Sequence, residues 1–539
     1  MRHLILFLAA IIPLSSTAQK DTISPKIEKI FAQYTAKEPG CQLSISYKGK
    51  LIFSKAWGMA NLETGTPLTM NSVIEAGSVS KQFTAAAILL LEQQGKLSLE
   101  DDIRKYLPEI PDYGTLIKIK HLIHHTSGLK DWGTIAALTG FGRGSKSFRN
   151  EDALEIIAQQ RTLNNVPGAE FIYSNSNYNL LAIIVQRVSG KSLADFTKEY
   201  IFTPAGMTRT QWRDNFRRVV PNRAVAYYKT GQGYESDMFY EDAYGNGGLL
   251  TTSEDLLKWN TFYLSGKFGQ PSLLQKQITK DTLNDQRLNQ YAAGLFIQTS
   301  KGKKVITHDG ATGSYRCDLT YFPELDLSIA WLSNSSRFDT ASRSIAGQVQ
   351  DIFVPAVPAK PVAIQEVQVP LETLKNLTGW YQNTRLASGI QISIVEGHLV
   401  MEGRTRLNAI SGSSFKTGSD ILAFDTEKNL WWITANRDSI LYKPVPPPDY
   451  TPQTLAAFKG TFYSTEATAR LAVEEKSDTL YLKFNSYESF RLQPTYRDGF
   501  RIPGFGGNLK FQRSANGEIT GFYISQGRAR NVVFVKDGK

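Results

Sequence analysis

The sequence predicts an α/β domain, an antiparallel sheet flanked by helices, followed by two small antiparallel β-barrels. Three observations carry that expectation. Strand patterns at residues 42–57 and 304–334 enclose a long segment rich in helix signals, so the chain returns to its first sheet after building its helices. Pro-rich stretches at 354–370 and 443–452 read as stiff, extended connectors. The segments after them repeat one another in short alternating runs, the pattern of half-buried antiparallel strands. The implied organisation is a leader at 1–18, a first domain at 19–353, a connector at 354–370 and a barrel at 371–442. A second connector at 443–452 and a second barrel at 453–539 follow.

Each element has its own signal. Arg2 and His3 precede an apolar run from Leu4 to Leu14, and Ser16-Thr17-Ala18 supplies small residues before Gln19. That is the pattern of a cleavable secretory leader, too short to span a bilayer. A periplasmic or secreted location is therefore expected, and no later run is long enough for a transmembrane segment. "QLSISYKGKLIFSKAW" (42–57) reads as two strands around a Lys-Gly turn. In "EAGSVSKQFTAAAILLLEQQG" (75–95), Phe83, Ala86, Ala87, Leu90 and Leu91 recur at helical spacing until Gly95. Such a largely apolar helix is buried. "TTSEDLLKWNTFYL" (251–264) offers Ser253 as a cap and acids in the first turn. "KVITHDGATGSYRCDLTYFPELDLSIAWLSN" (304–334) gives strand, Gly-rich turn, strand, Pro/Asp hairpin and strand.

The barrel repeat has an offset of 81 residues: "LKNLTGWY" from Leu374 matches "LAAFKGTF" from Leu455. The offset holds for Gly379/Gly460, Ile392/Val473, Leu399/Leu480 and Met401/Leu482, then drifts near Pro503. Closure into barrels removes the exposed edges of such strands.

At 539 residues the chain exceeds one ordinary core, and 41% hydrophobic with 21% charged residues is a globular composition. The net charge of +11 is spread without a lysine/arginine run, so no nucleic-acid partner is expected. His121, His124 and His125 form the one histidine cluster, without an acidic or thiol partner at zinc-site spacing. No metal and no cofactor is expected, and the cluster reads as structural.

The chemistry concentrates at Ser78 and Lys81. Ser-x-x-Lys also occurs at Ser300/Lys303 and Ser413/Lys416, so spacing alone decides nothing. The first pair differs by context. A serine at a helix start is an ordinary cap, but a lysine there faces the positive dipole end inside a buried helix. Desolvation and the dipole both lower its pKa, as a base beside a nucleophile requires. Such a pair also needs a proton donor, an amide-binding group and an oxyanion hole. Tyr173 and Asn175 stand before an apolar helix in "YSNSNYNLLAIIVQRVSG". Tyr-x-Asn recurs at Tyr244/Asn246 and Tyr381/Asn383. His308-Asp309-Gly310 ends a strand and is the one His-x-Gly in the chain; Gly310 lets a ligand approach the backbone closely.

Together and in this order, these elements resemble the serine β-lactamase and penicillin-binding protein superfamily, in its class C-like branch of carboxypeptidases, esterases and D-aminopeptidases. The likeness runs from about Ile27 to Ile352. It includes "GKLIFSKAWGMANLETGTPLT" (49–69), "HHTSGL" (124–129) and "GNGGLLTTSEDLLKW" (245–259). The tandem barrels resemble the lipocalin-like pair that follows the catalytic domain in D-aminopeptidases of this branch, where a barrel loop shapes the active site. The resemblance implies a β-lactamase/transpeptidase-like fold and a serine hydrolase. Ser78 attacks the carbonyl and is acylated. Lys81 and Tyr173 share removal of its proton and delivery to the leaving group. Asn175 bonds the substrate amide or the lysine. His308 and Gly310 form the substrate-facing strand, and the N–H groups of Ser78 and Ala311 make the oxyanion hole. Small peptides, amides or esters are the implied substrates, with D-amino-acid peptides and cell-wall-derived peptides among them. The other open reading is a catalytically retired binding or scaffolding protein.

Family members with Lys-Thr-Gly as third motif present a permanent cation to a substrate carboxylate. The "KTG" at 229–231 and 416–418 lacks the strand–turn–strand context, which assigns the motif to His308. Histidine is mostly neutral at pH 7, so slow β-lactam turnover and better hydrolysis of small esters or D-residue amides are expected, with Arg316, just after the turn, a candidate compensating charge. Carboxypeptidases with histidine here exist in the family, so that option is lowered and not removed. The family topology puts Cys41 and Cys317 on strands two apart, beyond disulfide reach; two free, partly buried thiols are expected.

Overall fold

The alternation of Cys41, Leu43 and Ile45 with Gln42, Ser44 and Ser46 makes the first strand two-faced, and both faces find a partner. In the computed structural model, which describes residues 18–264, 266–337, 345–355 and 366–538, helix α1 (Ala18–Phe31) precedes β1 (Cys41–Tyr47) and β2 (Lys50–Trp57). The leader expected at 1–18 lies outside the described residues except for Ala18, as do residues 356–365 of the connector. Three long helices follow: α2 (Lys81–Gln93), α3 (Asn175–Ser189) and α4 (Ser253–Leu264). The chain then returns with β3 (Phe296–Ser300), β4 (Lys303–Thr312), β5 (Tyr315–Phe322), β6 (Leu327–Ser333) and helix α5 (Ile345–Phe353).

The sheet order is β3-β4-β5-β6-β1-β2, with every neighbouring pair antiparallel. The last strand zips onto the first, Leu43 opposite Trp331 and Ile45 opposite Ile329. On one face, Cys41, Leu43, Ile45, Ile329 and Trp331 pack against Ile27 and Phe31 of α1 and Val349 of α5. On the other, Cys317, Leu319, Ala330 and Leu332 join the larger core around α2. The buried polar residues of β1 hold α4: Ser44 Oγ lies 2.7 Å from Ser253 Oγ, and Gln42 Oε1 accepts from the Ser253 N–H at 3.0 Å. Ser253 is thereby spent on the sheet. Thr252, one residue earlier, supplies the cap by accepting from the Asp255 N–H at 3.3 Å. The cysteines are free, and they are buried rather than partly buried as the sequence suggests. β6 stands between their strands, and they pack in the cores on opposite faces of the sheet.

The repeated C-terminal segments are two nine-stranded antiparallel sheets, each rolled into a nearly closed barrel. One runs from strand Gly379–Asn383 to Ser439–Val445, the other from Gly460–Ser464 to Ala529–Lys536. The sequence offset is a register: Gly379 pairs with Ile392 as Gly460 pairs with Val473, and Ile392 with Met401 as Val473 with Leu482. Their interiors are filled by their own side chains, Leu399 and Phe415 in one, Phe462 and Phe511 in the other.

Candidate active site

The cleft forms where β4 meets the turn before α2. Gly77–Ser80 is a 3₁₀ turn, and the α-helix proper starts at Lys81. Two glycines let the backbones touch. A Cβ on Gly310 would sit 2.0 Å from the Ala76 carbonyl, and one on Gly77, at φ +51°, would sit 2.5 Å from the Ala311 nitrogen. No side chain fits either position, and the close approach brings Ala311 against the turn that carries Ser78. His308-Asp309-Gly310 lies inside β4, which continues to Thr312, rather than ending it as the sequence suggests.

Lys81 is fully buried and, among the described residues, has no carboxylate partner. Its Nζ lies 3.2 Å from Ser78 Oγ and donates to Asn175 Oδ1 at 3.0 Å and to the Asn246 carbonyl at 2.5 Å. The ring of Tyr173 stands 4.8 Å away. Burial holds the Lys81 amine well below its ordinary pKa, helped by the positive charges of Arg528 and Arg143. Burial likewise raises the Tyr173 phenol, against the pull of the Ser78 hydroxyl beside it.

Helix α3 positions Tyr173 and Asn175. The side chain of its N-cap, Ser174, does not cap it; Asp131 does, its Oδ2 accepting from the Asn175 N–H at 2.6 Å. His125 buttresses Tyr173 from behind, with ring centroids 4.4 Å apart, and its Nδ1 accepts from the Ser174 N–H at 3.3 Å. The histidine cluster is thus structural, its three rings serving different partners: His121 Nδ1 accepts from the Lys118 N–H and His124 Nδ1 meets the Tyr291 carbonyl. No group of three or more potential metal-binding side chains occurs among the described residues. His308 is buried, with Nε2 2.9 Å from Tyr291 Oη and Nδ1 2.6 Å from the Asp309 carbonyl. Burial, then the charge of Lys81, lowers its pKa to about 4, so the ring is neutral at pH 7.

The resulting cleft has a volume of about 470 Å³. Ser78, Tyr173, Asn175, His308 and Ala311 all line it; Gly310 lies beneath, and Lys81 behind Ser78. The sequence reading missed three contributors. Asn246, set aside as a stray Tyr-x-Asn, gives Lys81 its carbonyl. Arg143 and Arg528 also reach the cleft, Arg528 from the second barrel. Neither sits in a motif, and only tertiary folding brings them in. The competing motifs lie elsewhere: Lys229 is in a separate hairpin, 3.8 Å from Glu38, and Lys416 is on a barrel strand. Arg316 bonds the carbonyls of Gly313 and Tyr315 in its own turn.

The family model described as Beta-lactamase matches residues 27–351. This chain belongs to the Beta-lactamase family. Penicillin-binding protein 4* of Bacillus subtilis (strain 168) is 26% identical over 405 residues, covering 71% of this chain and 88% of that protein. A D-aminopeptidase of Brucella anthropi is 24% identical over 529 residues, covering 92% and 95%, so the likeness extends through both barrels. Among solved structures, the octameric penicillin-binding protein homologue from Pyrococcus abyssi aligns with a TM-score of 0.54 at 23% identity. It covers 80% of this chain and 100% of that one, a likeness of fold. This member of the Beta-lactamase family is a serine hydrolase.

Proposed function

We propose that this chain is an exported serine hydrolase acting through an acyl-enzyme at Ser78 on peptide, amide or ester bonds, D-amino-acid peptides included. The observation that carries the reading is the buried amine of Lys81, 3.2 Å from Ser78 Oγ, with no carboxylate among the described residues to hold it charged. A neutral amine has two N–H groups and one lone pair. Asn175 Oδ1 and the Asn246 carbonyl occupy the two donors, which leaves the lone pair for the Ser78 proton. Ser78 Oγ then attacks the substrate carbonyl carbon, and Lys81 becomes the ammonium. The N–H groups of Ser78 and Ala311 face the developing oxyanion. Tyr173, kept as a phenol by burial, donates its proton to the leaving nitrogen or oxygen and regains one from Lys81. Water reverses the same transfers to release the acyl group. The name of one relative, D-aminopeptidase, supports peptide and amide bonds; cell-wall-derived peptides are part of the proposal alone.

The test is covalent labelling by a fluorescent phosphonate or penicillin. The wild-type chain labels, and Ser78→Ala does not; labelling that survives Ser78→Ala removes the assignment, and an unreactive wild type favours a retired binding protein. The pH profile gives a second check. Lys81 works deprotonated, so kcat/KM for a nitrophenyl ester rises with pH through its lowered pKa, well below the ordinary 10.5. His308, titrating near 4, contributes no step between pH 5.5 and 8.5. A step in that range that His308→Gln abolishes contradicts this. Export rests on the leader pattern, and a mature N-terminus at Gln19 by mass spectrometry is the expected result.

A further inference from the structure

The last hairpin of the second barrel, Ile519–Gln526 to Ala529–Lys536, turns at Gly527-Arg528 inside the mouth of the cleft. Its backbone is pinned at the turn and just after it. The Asp131 N–H and Asn164 Nδ2 both donate to the Arg528 carbonyl, at 3.0 and 3.1 Å. The Arg530 N–H donates to Asn164 Oδ1 at 2.8 Å, and the Arg530 guanidinium pairs with Glu170 at 2.9 Å. Asp131 is the residue that caps Asn175, so the turn is docked on the same framework as the candidate catalytic groups.

Held there, the Arg528 guanidinium lies across the Tyr173 ring, 4.9 Å from its centroid, and lines the cleft with Ser78. The other cleft arginine, Arg143, is committed to the buried Glu241 carboxylate. Arg528 has no such carboxylate among the described residues. A guanidinium stacked on an aromatic face presents its N–H edge to the surroundings, in the geometry that takes a carboxylate through two parallel bonds.

We propose that Arg528 binds a carboxylate on the leaving fragment of the substrate, so that short peptides with a free C-terminus one residue beyond the cleaved bond are preferred. The leaving side follows from Tyr173, the group assigned to protonate the leaving atom, against whose face Arg528 is packed. The inference therefore rests on the reading of Ser78 and Tyr173 given above. It also bears on the option that the sequence reading lowered without removing, a substrate with a free carboxylate. The neutral His308 leaves the third motif without a cation, and Arg316 is turned to its own loop, but the second barrel supplies one. The substrate class is then set jointly by the catalytic domain and a barrel turn remote in sequence.

The experiment compares D-alanyl-D-alanine with D-alanyl-D-alaninamide, which differ only in the leaving-side carboxylate, on the full-length chain. The wild type is expected to favour the acid in kcat/KM by about ten- to a hundredfold, the range of a charge-assisted bond. Arg528→Ala brings that ratio close to one, and Arg528→Lys keeps part of it. A ratio unmoved by Arg528→Ala overturns the proposal. So does an equal slowing of both substrates, which would mean that Arg528 acts only on Lys81 and Tyr173. Calorimetric binding of both compounds to Ser78→Ala, with and without Arg528→Ala, reads the same ratio without turnover. If Ser78 is not the nucleophile, labelling survives Ser78→Ala or is absent from the wild type, while the binding ratio still decides the role of Arg528.

Discussion

The two barrels share a register but not a relation to the catalytic domain. The second barrel is continuous with it. Ile135 and Leu138 of the catalytic domain belong to one continuous apolar cluster with the barrel's Leu471 and Phe534. Lys130 and Glu466 meet there at 2.8 Å, with side chains 0% and 5% exposed. The first barrel touches the catalytic domain through a rim of part-exposed charges, Arg385 to Glu170 and Asp438 to Arg287. It leans on its sibling through Tyr496 Oη, which donates to the Ala387 carbonyl at 2.7 Å. The chain carries two copies of one fold, and the chemistry of their surfaces gives them different work. One copy became part of the active-site wall, and the other a neighbour of it.

Breaking the buried pair tests this contrast most severely. Glu466 also accepts from the Val533 N–H at 3.1 Å, and Lys130 donates to Thr162 Oγ1 at 2.9 Å. Glu466→Ala leaves the Lys130 ammonium buried without a counter-charge, which costs about 3–5 kcal/mol. The loss is measured by urea unfolding of the full-length chain. It should also slow phosphonate labelling, because Lys130 is adjacent to Asp131, the cap of Asn175 and a donor to Arg528. A loss below about 1 kcal/mol would put this contact in the class of surface pairs and erase the distinction between the barrels.

How much of this was legible in the sequence follows the range of each signal. The strands about Lys48-Gly49, helix α2 and the barrel repeat are local patterns, with periods of two, 3.6 and 81 residues, and they reappear where the pattern put them. Ser78, Lys81, Tyr173 and Asn175 were legible as motifs because they stand at or just before the start of an apolar helix, and His308 and Ala311 because they lie on a strand that runs into a Gly-containing turn. The caps were not. Ser253 reads as a cap, but a buried partner on β1 takes its hydroxyl, and Ser174 yields its place to Asp131 from another segment. Asn246 contributes through its carbonyl, which no side-chain motif marks. His125 and Arg528 are positioned by packing between segments far apart in sequence, and local periodicity carries no trace of that.

The smallest effect belongs to the rim of the first barrel. Asp438 accepts from Arg385 at 2.6 and 3.1 Å and lies 3.2 Å from Arg287, with these side chains about a quarter exposed. Water and salt screen such charges, so Asp438→Ala is expected to cost about 0–1 kcal/mol and to leave Ser78 labelling at the wild-type rate. Burial raises the Asp438 carboxyl, but the hydrogen bond and charge of Arg385 outweigh it and hold the pKa below its ordinary value. A carboxylate depressed in the folded state stabilises above its unfolded pKa and loses that contribution as pH falls through the folded one. The difference between Asp438→Ala and wild type is thus present at pH 7 and disappears in acid below the usual carboxylate range. Raised salt weakens it as well, whereas the buried Lys130–Glu466 pair is screened far less. Unfolding of both variants at low and high salt sharpens the comparison: Asp438→Ala converges on wild type while Glu466→Ala does not. Convergence of both would mean that the second barrel, too, is held only at its rim.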